Sequence, residues 1–553
     1  MSPRNISLSL FPCHDGIESD ATHLFAIFGK LLMFDMFQTR RNDTADVCCD
    51  SCLGIATNDP HDPHDGLNCS PCMPYFRPVL TKNISCEGGI NHGINDVTHV
   101  IDASFMFYDT DLKTNLMNAD GKFNLKSGFL PHTENEFMGV GDTISENPLV
   151  MAIYHVFLRE YNELVDKMIE FGYENASEEA KKLLIGIFQH ITYNEFLPML
   201  LGVDTPLKSK TTGTRTYDNQ KLPMVSHSFS LAYELVVASM LRESVQVAPD
   251  TNENLIDIIS DATKVDDDTE MANLVKGMLE QASLEIGNKI PCDFRNNCNF
   301  SDVVATVTQD TRFYGIPPYI VWLATIYPLT NLSFKAFPYH DTNGRQLLET
   351  MYRSVFDVDF LSGMFTEKKN PNVKLSQTLM KQFEDQFSTL QEGDRYYYEN
   401  VNAFQPNQLA EIRKVTMAQL LCRNVVNLDQ VKQFAFDKTS PEVSCSSITQ
   451  IDFCTYTGVS NVWTPFQGSF SQCDKIKIEY RTCQSTKPDL CPCEGDPFKI
   501  QSCPGEMITP DNIEKLADIM RYDQLMQYFL RQGEITDMEI RVHELYDMIS
   551  VTK

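Results

Sequence analysis

The sequence predicts a mainly α-helical body followed by a small disulfide-rich module and a helical tail. Two observations carry this. Before residue 440 apolar residues recur at three- and four-residue spacing, while two-residue alternation is scarce. Six cysteines then fall within Cys454–Cys503, a stretch too short to build a core and therefore dependent on disulfides. The expected domains are 1–453, 454–503 and 504–553.

The apolar stretch Leu24–Phe37 is too short to cross a bilayer and carries Lys30 and Asp35, so it reads as a buried helix and no membrane span is expected. From Asn147 to Phe171 the residues Leu149, Ile153, Val156, Phe157, Leu164 and Met168 form one face of a long helix, with Pro148 near its start and Gly172 at its end. Ser177, followed by Glu178 and Glu179, opens another, whose stripe of Leu183, Leu184, Ile187, Phe188 and Ile191 runs up to Pro198. Beyond the module, Thr509-Pro510 and the capping pair Thr536 and Glu539 start two amphipathic helices, a hairpin tail.

With 46 basic and 75 acidic residues the formal charge is −29, which repels polyphosphates and sets nucleic acid aside as a partner. Seventeen cysteines, crowded into Cys48–Cys86 and Cys454–Cys503, imply an oxidising, extracellular setting. Sequons at Asn5, Asn42, Asn68, Asn83, Asn175, Asn299 and Asn331 point the same way, to a secreted glycoprotein. No secretory leader is visible at Met1, so a processed leader or a start further upstream is expected.

Gly141-Asp142, then Glu146-Asn147-Pro148, then Phe157-Leu158-Arg159-Glu160-Tyr161-Asn162 resemble the animal haem peroxidases. The resemblance continues through Ile191-Thr192-Tyr193, Phe196-Leu197-Pro198, Gly315-Ile316-Pro317-Pro318-Tyr319, Gly393-Asp394-Arg395-Tyr396-Tyr397-Tyr398-Glu399-Asn400 and Gln408-Leu409-Ala410-Glu411-Ile412-Arg413-Lys414-Val415. It covers residues 20–453 and implies that family's mainly helical fold.

The resemblance also marks departures. The family's distal helix carries a Gln, a haem-linking Asp and the catalytic His ahead of a calcium-binding Asp; the matching positions here are Lys30, Met33, Phe34 and Asp35. Positions 30, 33 and 34 share one helix face. The catalytic Arg falls where only Thr143, Ile144 and Ser145 stand, and the iron-ligating His is matched by Tyr233. A peroxidase needs a base above the iron to move a proton between the peroxide oxygens, a role worth about 10²–10⁴-fold, and phenylalanine has no such proton. Asn424 matches the residue that supports the proximal His, Glu146 the haem-linking Glu, and Asp310-Thr311-Arg312-Phe313-Tyr314 an eroded Arg-Gly-Arg-Asp-His run.

Two readings follow. The first is a pseudoenzyme without haem, acting as an extracellular binding or structural protein. The second is a divergent peroxidase or catalase-like oxidoreductase with Tyr233 as axial ligand, Glu146 and Asn424 flanking the haem. Under the first, Lys30 is expected to pair with a buried Glu146 across a collapsed or water-filled cavity lined by Met33 and Phe34.

One constellation stays intact. Thr98-His99-Val100-Ile101-Asp102-Ala103-Ser104 matches the family's calcium loop, which implies a Ca²⁺ site built from Asp35, Thr98, Val100, Asp102 and Ser104, all hard oxygen donors. Further on, Trp463-Thr464-Pro465-Phe466, Cys473, Lys475, Lys477, Arg481-Thr482-Cys483, Cys491-Pro492-Cys493 and Cys503 resemble a thrombospondin type 1 repeat. That resemblance implies cation–π stacking in place of a core, and contacts to an extracellular protein or glycan. A homo-oligomer is compatible with all of it.

Overall fold

Asn147 caps the long helix expected after it: its side-chain oxygen accepts from the amides of Leu149 (3.1 Å) and Val150 (3.2 Å), and Pro148 occupies the first turn, where a missing N–H costs nothing. The computed structural model describes residues 2–42, 54–57, 72–81, 92–107, 116–133, 136–140, 142–208, 214–296, 302–328, 331–370, 373–466, 476–493, 495 and 498–502. The tail from 503 onward, with its expected hairpin, lies outside them. The chain divides into two compact units, Met1–Ile451 and Asp452–Lys553.

The helices that position the site are α1 (Pro3–Leu10), α2 (His23–Met36), α3 (Pro148–Glu170), α4 (Ala176–Ile191), α5 (His227–Met240), α6 (Asp268–Glu280), α7 (Val303–Phe313), α8 (Tyr319–Ile326), α9 (Gln377–Gly393) and α10 (Met417–Asn424). Strands are short and occur in antiparallel pairs: β1 (Glu18–Thr22), β2 (Ile55–Ala56), β3 (Cys72–Met73), β4 (Ser244–Ala248), β5 (Thr251–Asn254), β6 (Ala282–Leu284), β7 (Gln430–Lys432) and β8 (Glu442–Ser444) in the first unit. They pair as β1–β6, β2–β3, β4–β5 and β7–β8. Elements of two to five residues are too short to show alternation, so the sequence did not announce them.

Helix α2 runs through the centre, packed on α3, α5 and α6. Apolar residues surround it on almost every side, as a helix inside a large core requires. Phe25 and Phe28 stack among Phe188, Phe196 and Phe436 at centroid distances of 4.7–6.0 Å. Gly29 eases the packing there, since a Cβ would sit tightly, 3.3 Å from the Phe196 ring. No helix among the described residues is long and apolar enough to cross a membrane.

The helix expected to stop at Pro198 does something else. After α4 the chain opens into a π-turn, Thr192–Phe196, then continues as Leu197–Leu201. The wider turn re-registers the hydrogen-bond ladder just before Pro198, which has no N–H to give.

In the second unit β9 (Asn461–Trp463) pairs with β11 (Cys483–Ser485), and β10 (Ile476–Tyr480) with β12 (Phe498–Ser502). Disulfides Cys454–Cys491 and Cys483–Cys493 tie it together. The Arg481 guanidinium lies 4.5 Å from the Trp463 ring centroid and 4.8 Å from that of Phe466, a cation held between two aromatic faces. Cys473, Lys475 and Cys503 lie outside the described residues.

Candidate functional site

Along α2 most side chains are buried; Lys30 and Met33 are only half-buried, and Phe37, just past its end, continues the same stripe at helical spacing. This stripe is the face that the resemblance assigned to a haem. Phe34 turns inward and is buried.

Tyr233, on α5, is 1% exposed. Its hydroxyl donates to the Gly29 carbonyl of α2 at 3.0 Å, and its ring stacks on Phe383 at 5.6 Å with T-shaped contact to Phe37 at 5.9 Å. Burial holds its pKa far above the usual tyrosine value. An axial tyrosinate has to be ionised and aimed at an iron, with a macrocycle between the two helices. Here the phenol is neutral and touches the opposite helix's backbone, so the residues present do not fit a haem ligated by Tyr233.

The expected Lys30–Glu146 pair is corrected. Glu146 is exposed, because the Asp142–Ser145 turn buries Ile144 and Ser145 and Asn147 follows them inward, which leaves position 146 facing out. Ser145 is held by the Phe137 amide, which donates to its Oγ at 2.7 Å. Among the described residues no carboxylate comes within ion-pair distance of Lys30. Burial lowers the Lys30 pKa, and the fields of Glu146 and then Glu234 push it part of the way back. Glu234, the neighbour of Tyr233, is itself raised to about 7 by burial. Nothing in a single sequence marked it, since its partners come from other helices.

Asn424 has a structural task instead of an imidazole to orient. Its amide donates to Glu160 at 2.8 Å and to the Leu420 carbonyl at 3.0 Å, while Arg423 reaches Glu160 at 2.5 Å. Arg159 closes the same joint through the Asn424 carbonyl at 2.9 Å. The Arg159-Glu160 motif thus clamps α10 onto α3. Asp310, in the eroded run, accepts from Arg41 at 2.6 Å and from the Tyr75 hydroxyl at 2.5 Å, tying α7 to the β3 segment.

Next to Phe34, in the last turn of α2, the five residues expected to hold calcium converge. Asp35 is fully buried and accepts from the amides of Asp102 (3.1 Å) and Phe105 (3.3 Å) and from the Ser104 hydroxyl (3.2 Å). The Thr98 hydroxyl lies 2.8 Å from Asp102 Oδ1, 3.3 Å from the Val100 carbonyl and 3.3 Å from Ser104 Oγ. Ala103 sits in the left-handed region at φ 56°, a conformation costing a non-glycine residue roughly 1–2 kcal/mol, and the bend turns both flanking residues toward Asp35. Both carboxylates are pushed above their ordinary range, Asp35 by burial and then by Asp102, and Asp102 by burial. No third Asp, Glu, His or Cys joins them among the described residues. A buried carboxylate, Asp35, beside a half-buried one, Asp102, with hydroxyl and carbonyl oxygens around them, is the kind of donor set that Ca²⁺ prefers, and the residues fit it.

A supporting layer escaped the sequence reading. Gln189, on α4, donates to the Ile101 carbonyl at 2.8 Å and to Asp394 at 3.0 Å, and accepts from the Tyr398 amide at 2.8 Å. The Gly393–Asn400 motif therefore braces the loop from behind. Its membership in a family motif was the available signal.

The animal haem peroxidase family model matches residues 1–436. Chorion peroxidase of Drosophila melanogaster is 25% identical over 486 residues, covering 77% of this chain and 60% of that protein. A peroxidase-like protein of Margaritifera margaritifera is 27% identical, covering 79% and 64%. The chain thus spans less than two thirds of the length of these relatives. Among solved structures, peroxidase A from Dictyostelium discoideum superposes with a TM-score of 0.66 at 19% identity, covering 79% of this chain and 91% of that one.

Proposed function

Because this chain belongs to the animal haem peroxidase family, its changed positions fall on an inherited helical scaffold, and we propose that it is an extracellular, calcium-binding structural or binding protein without peroxidase chemistry. The observation that carries this is the 3.0 Å hydrogen bond from Tyr233 to the Gly29 carbonyl, which brings the two helices into contact where the family places its cofactor. Phe34 cannot move a proton and Ile144 supplies no cation, so the two positions that the family uses for proton transfer and for stabilising a breaking O–O bond carry side chains unsuited to either task. Calcium, held by Asp35, Thr98, Val100, Asp102 and Ser104, would neutralise the buried carboxylates and tie α2 to the loop after it.

Disulfides Cys13–Cys292 and Cys422–Cys445 in the body and two more in the second unit support an extracellular setting. The second unit's Arg481 stack is consistent with a thrombospondin type 1-like module, suited to an extracellular protein or glycan partner, and a homo-oligomer remains compatible with it. The test is to titrate hemin into protein purified from culture medium and record absorbance and peroxide-driven dye oxidation. No saturable Soret band and no oxidation above free hemin are expected. A stoichiometric band that disappears in Tyr233→Phe would overturn the proposal in favour of tyrosinate ligation.

A further inference from the structure

Helix α8 reads Tyr-Ile-Val-Trp-Leu-Ala-Thr-Ile, eight residues without a charge, yet it lies at the surface. Tyr319, Ile320 and Leu323 face inward; Val321 is 47% exposed and Ala324 is exposed beside it. Past the helix end, Tyr327 and Leu332 (55%) are exposed as well. The turn Val355–Asp357 packs against α8 and adds Phe356 (53%). A surface helix ordinarily places charged residues outward, and soluble chains seldom leave contiguous apolar surface bare.

The sequence supplies a cover at that spot. Leu332 is the middle residue of the sequon Asn331-Leu332-Ser333. Asn331 is exposed, lies outside any helix or strand, and makes no hydrogen bond to the described residues. The other sequons whose asparagine is described differ: Asn42 is exposed, but it follows Arg40 and Arg41, and its backbone amide donates to the Arg77 carbonyl at 2.9 Å. Asn5 lies inside α1 between Arg4, Ile6 and Ser7, all fully buried. Asn175 is exposed, but its surroundings are charged, with Glu174 and Glu178 exposed on either side.

We infer that Asn331 carries an N-linked glycan whose core sugars lie over the outer face of α8 and keep that face from self-associating. This rests on the extracellular reading above. The Asn331 amide nitrogen would displace the diphosphate of a lipid-linked oligosaccharide donor, forming the bond to the first sugar's C1 and losing one proton, with the lipid diphosphate as leaving group. The non-polar faces of the sugar rings would cover exposed apolar side chains such as Val321, Tyr327, Leu332 and Phe356.

The full chain, secreted from eukaryotic cells, is analysed by glycopeptide mass spectrometry and by binding of a hydrophobic fluorescent dye. Asn331 is expected to be occupied and Asn5 empty. Asn331→Gln and Ser333→Ala should each raise dye binding several-fold and promote self-association, whereas Asn175→Gln should not. Enzymatic removal of glycans from folded wild-type protein should produce the same rise without requiring a variant to fold. Asn331 empty while another sequon on the same molecules is filled, or dye binding unchanged after its glycan is lost, overturns this inference alone. A chain that stays inside the cell with every sequon empty overturns the extracellular reading and the inference with it.

Discussion

Lys30 and Asp35 stand on the same half of one helix, yet the positions the resemblance assigns to a haem depart from the family while the neighbouring oxygen cluster matches it. Where the resemblance implies Gln, Asp and His stand Lys30, Met33 and Phe34, and the neighbours adjust without stranding a polar group: Phe34 packs inward, Lys30 and Met33 stay partly in solvent, and Tyr233 bonds a backbone carbonyl. Around Asp35 each donor also holds another. Removing Asp35 would leave the Asp102 and Phe105 amides and the Ser104 hydroxyl searching for acceptors in a buried corner. A cofactor face can be overwritten by apolar residues; a buried oxygen cage cannot be dismantled one residue at a time.

The largest effect should therefore come from the cage. Asp35→Ala is expected to destabilise the fold by about 3 kcal/mol or more, since buried donors lose their acceptor, and its urea midpoint should no longer respond to chelator. Next comes the ion itself. Removing calcium from the wild type should lower the melting temperature, because a ligand bound only by the native state contributes about 2.7 kcal/mol at a hundredfold excess over its Kd. An unchanged transition after verified removal would erase the contrast between the altered positions and the oxygen cluster.

Tyr233→Phe should cost about 1 kcal/mol through the lost hydrogen bond, since the Gly29 carbonyl keeps its acceptor role inside α2, with no change in the visible spectrum. A chemical denaturation curve checks it. Lys30→Met should be the mildest, neutral or stabilising by under about 1 kcal/mol at pH 7. Burial lowers the folded pKa of Lys30 below 10.5, so its protonated form is carried at a cost below that folded value. The cost is relieved as pH rises toward 10.5, so the variant's advantage should shrink over that range. A loss of stability in Lys30→Met would restore the ion pair that the geometry does not support.

The sequence disclosed the long helices because α3 and α4 carry their periodicity in consecutive residues, and α3 its Asn147 cap as well; Ser177, expected to open α4, lies inside it. It pointed to the oxygens that converge on Asp35 because Thr98–Ser104 sits in one short run. Glu146 was misplaced because correspondence along a chain gives no direction to a side chain, and a turn that buries Ile144 and Ser145 turned it outward. The Tyr233 bond to a carbonyl, the Asn424 bond to Glu160 and the Gln189 brace join residues far apart in sequence, and no local pattern encodes them.

One measurement tests the central claim most directly: elemental analysis of iron and calcium in a single sample of protein purified natively from culture medium. Calcium in equal molar amount to protein, with iron at background, is the expected result. Iron in equal molar amount, or calcium absent from protein that is fully folded, would contradict it.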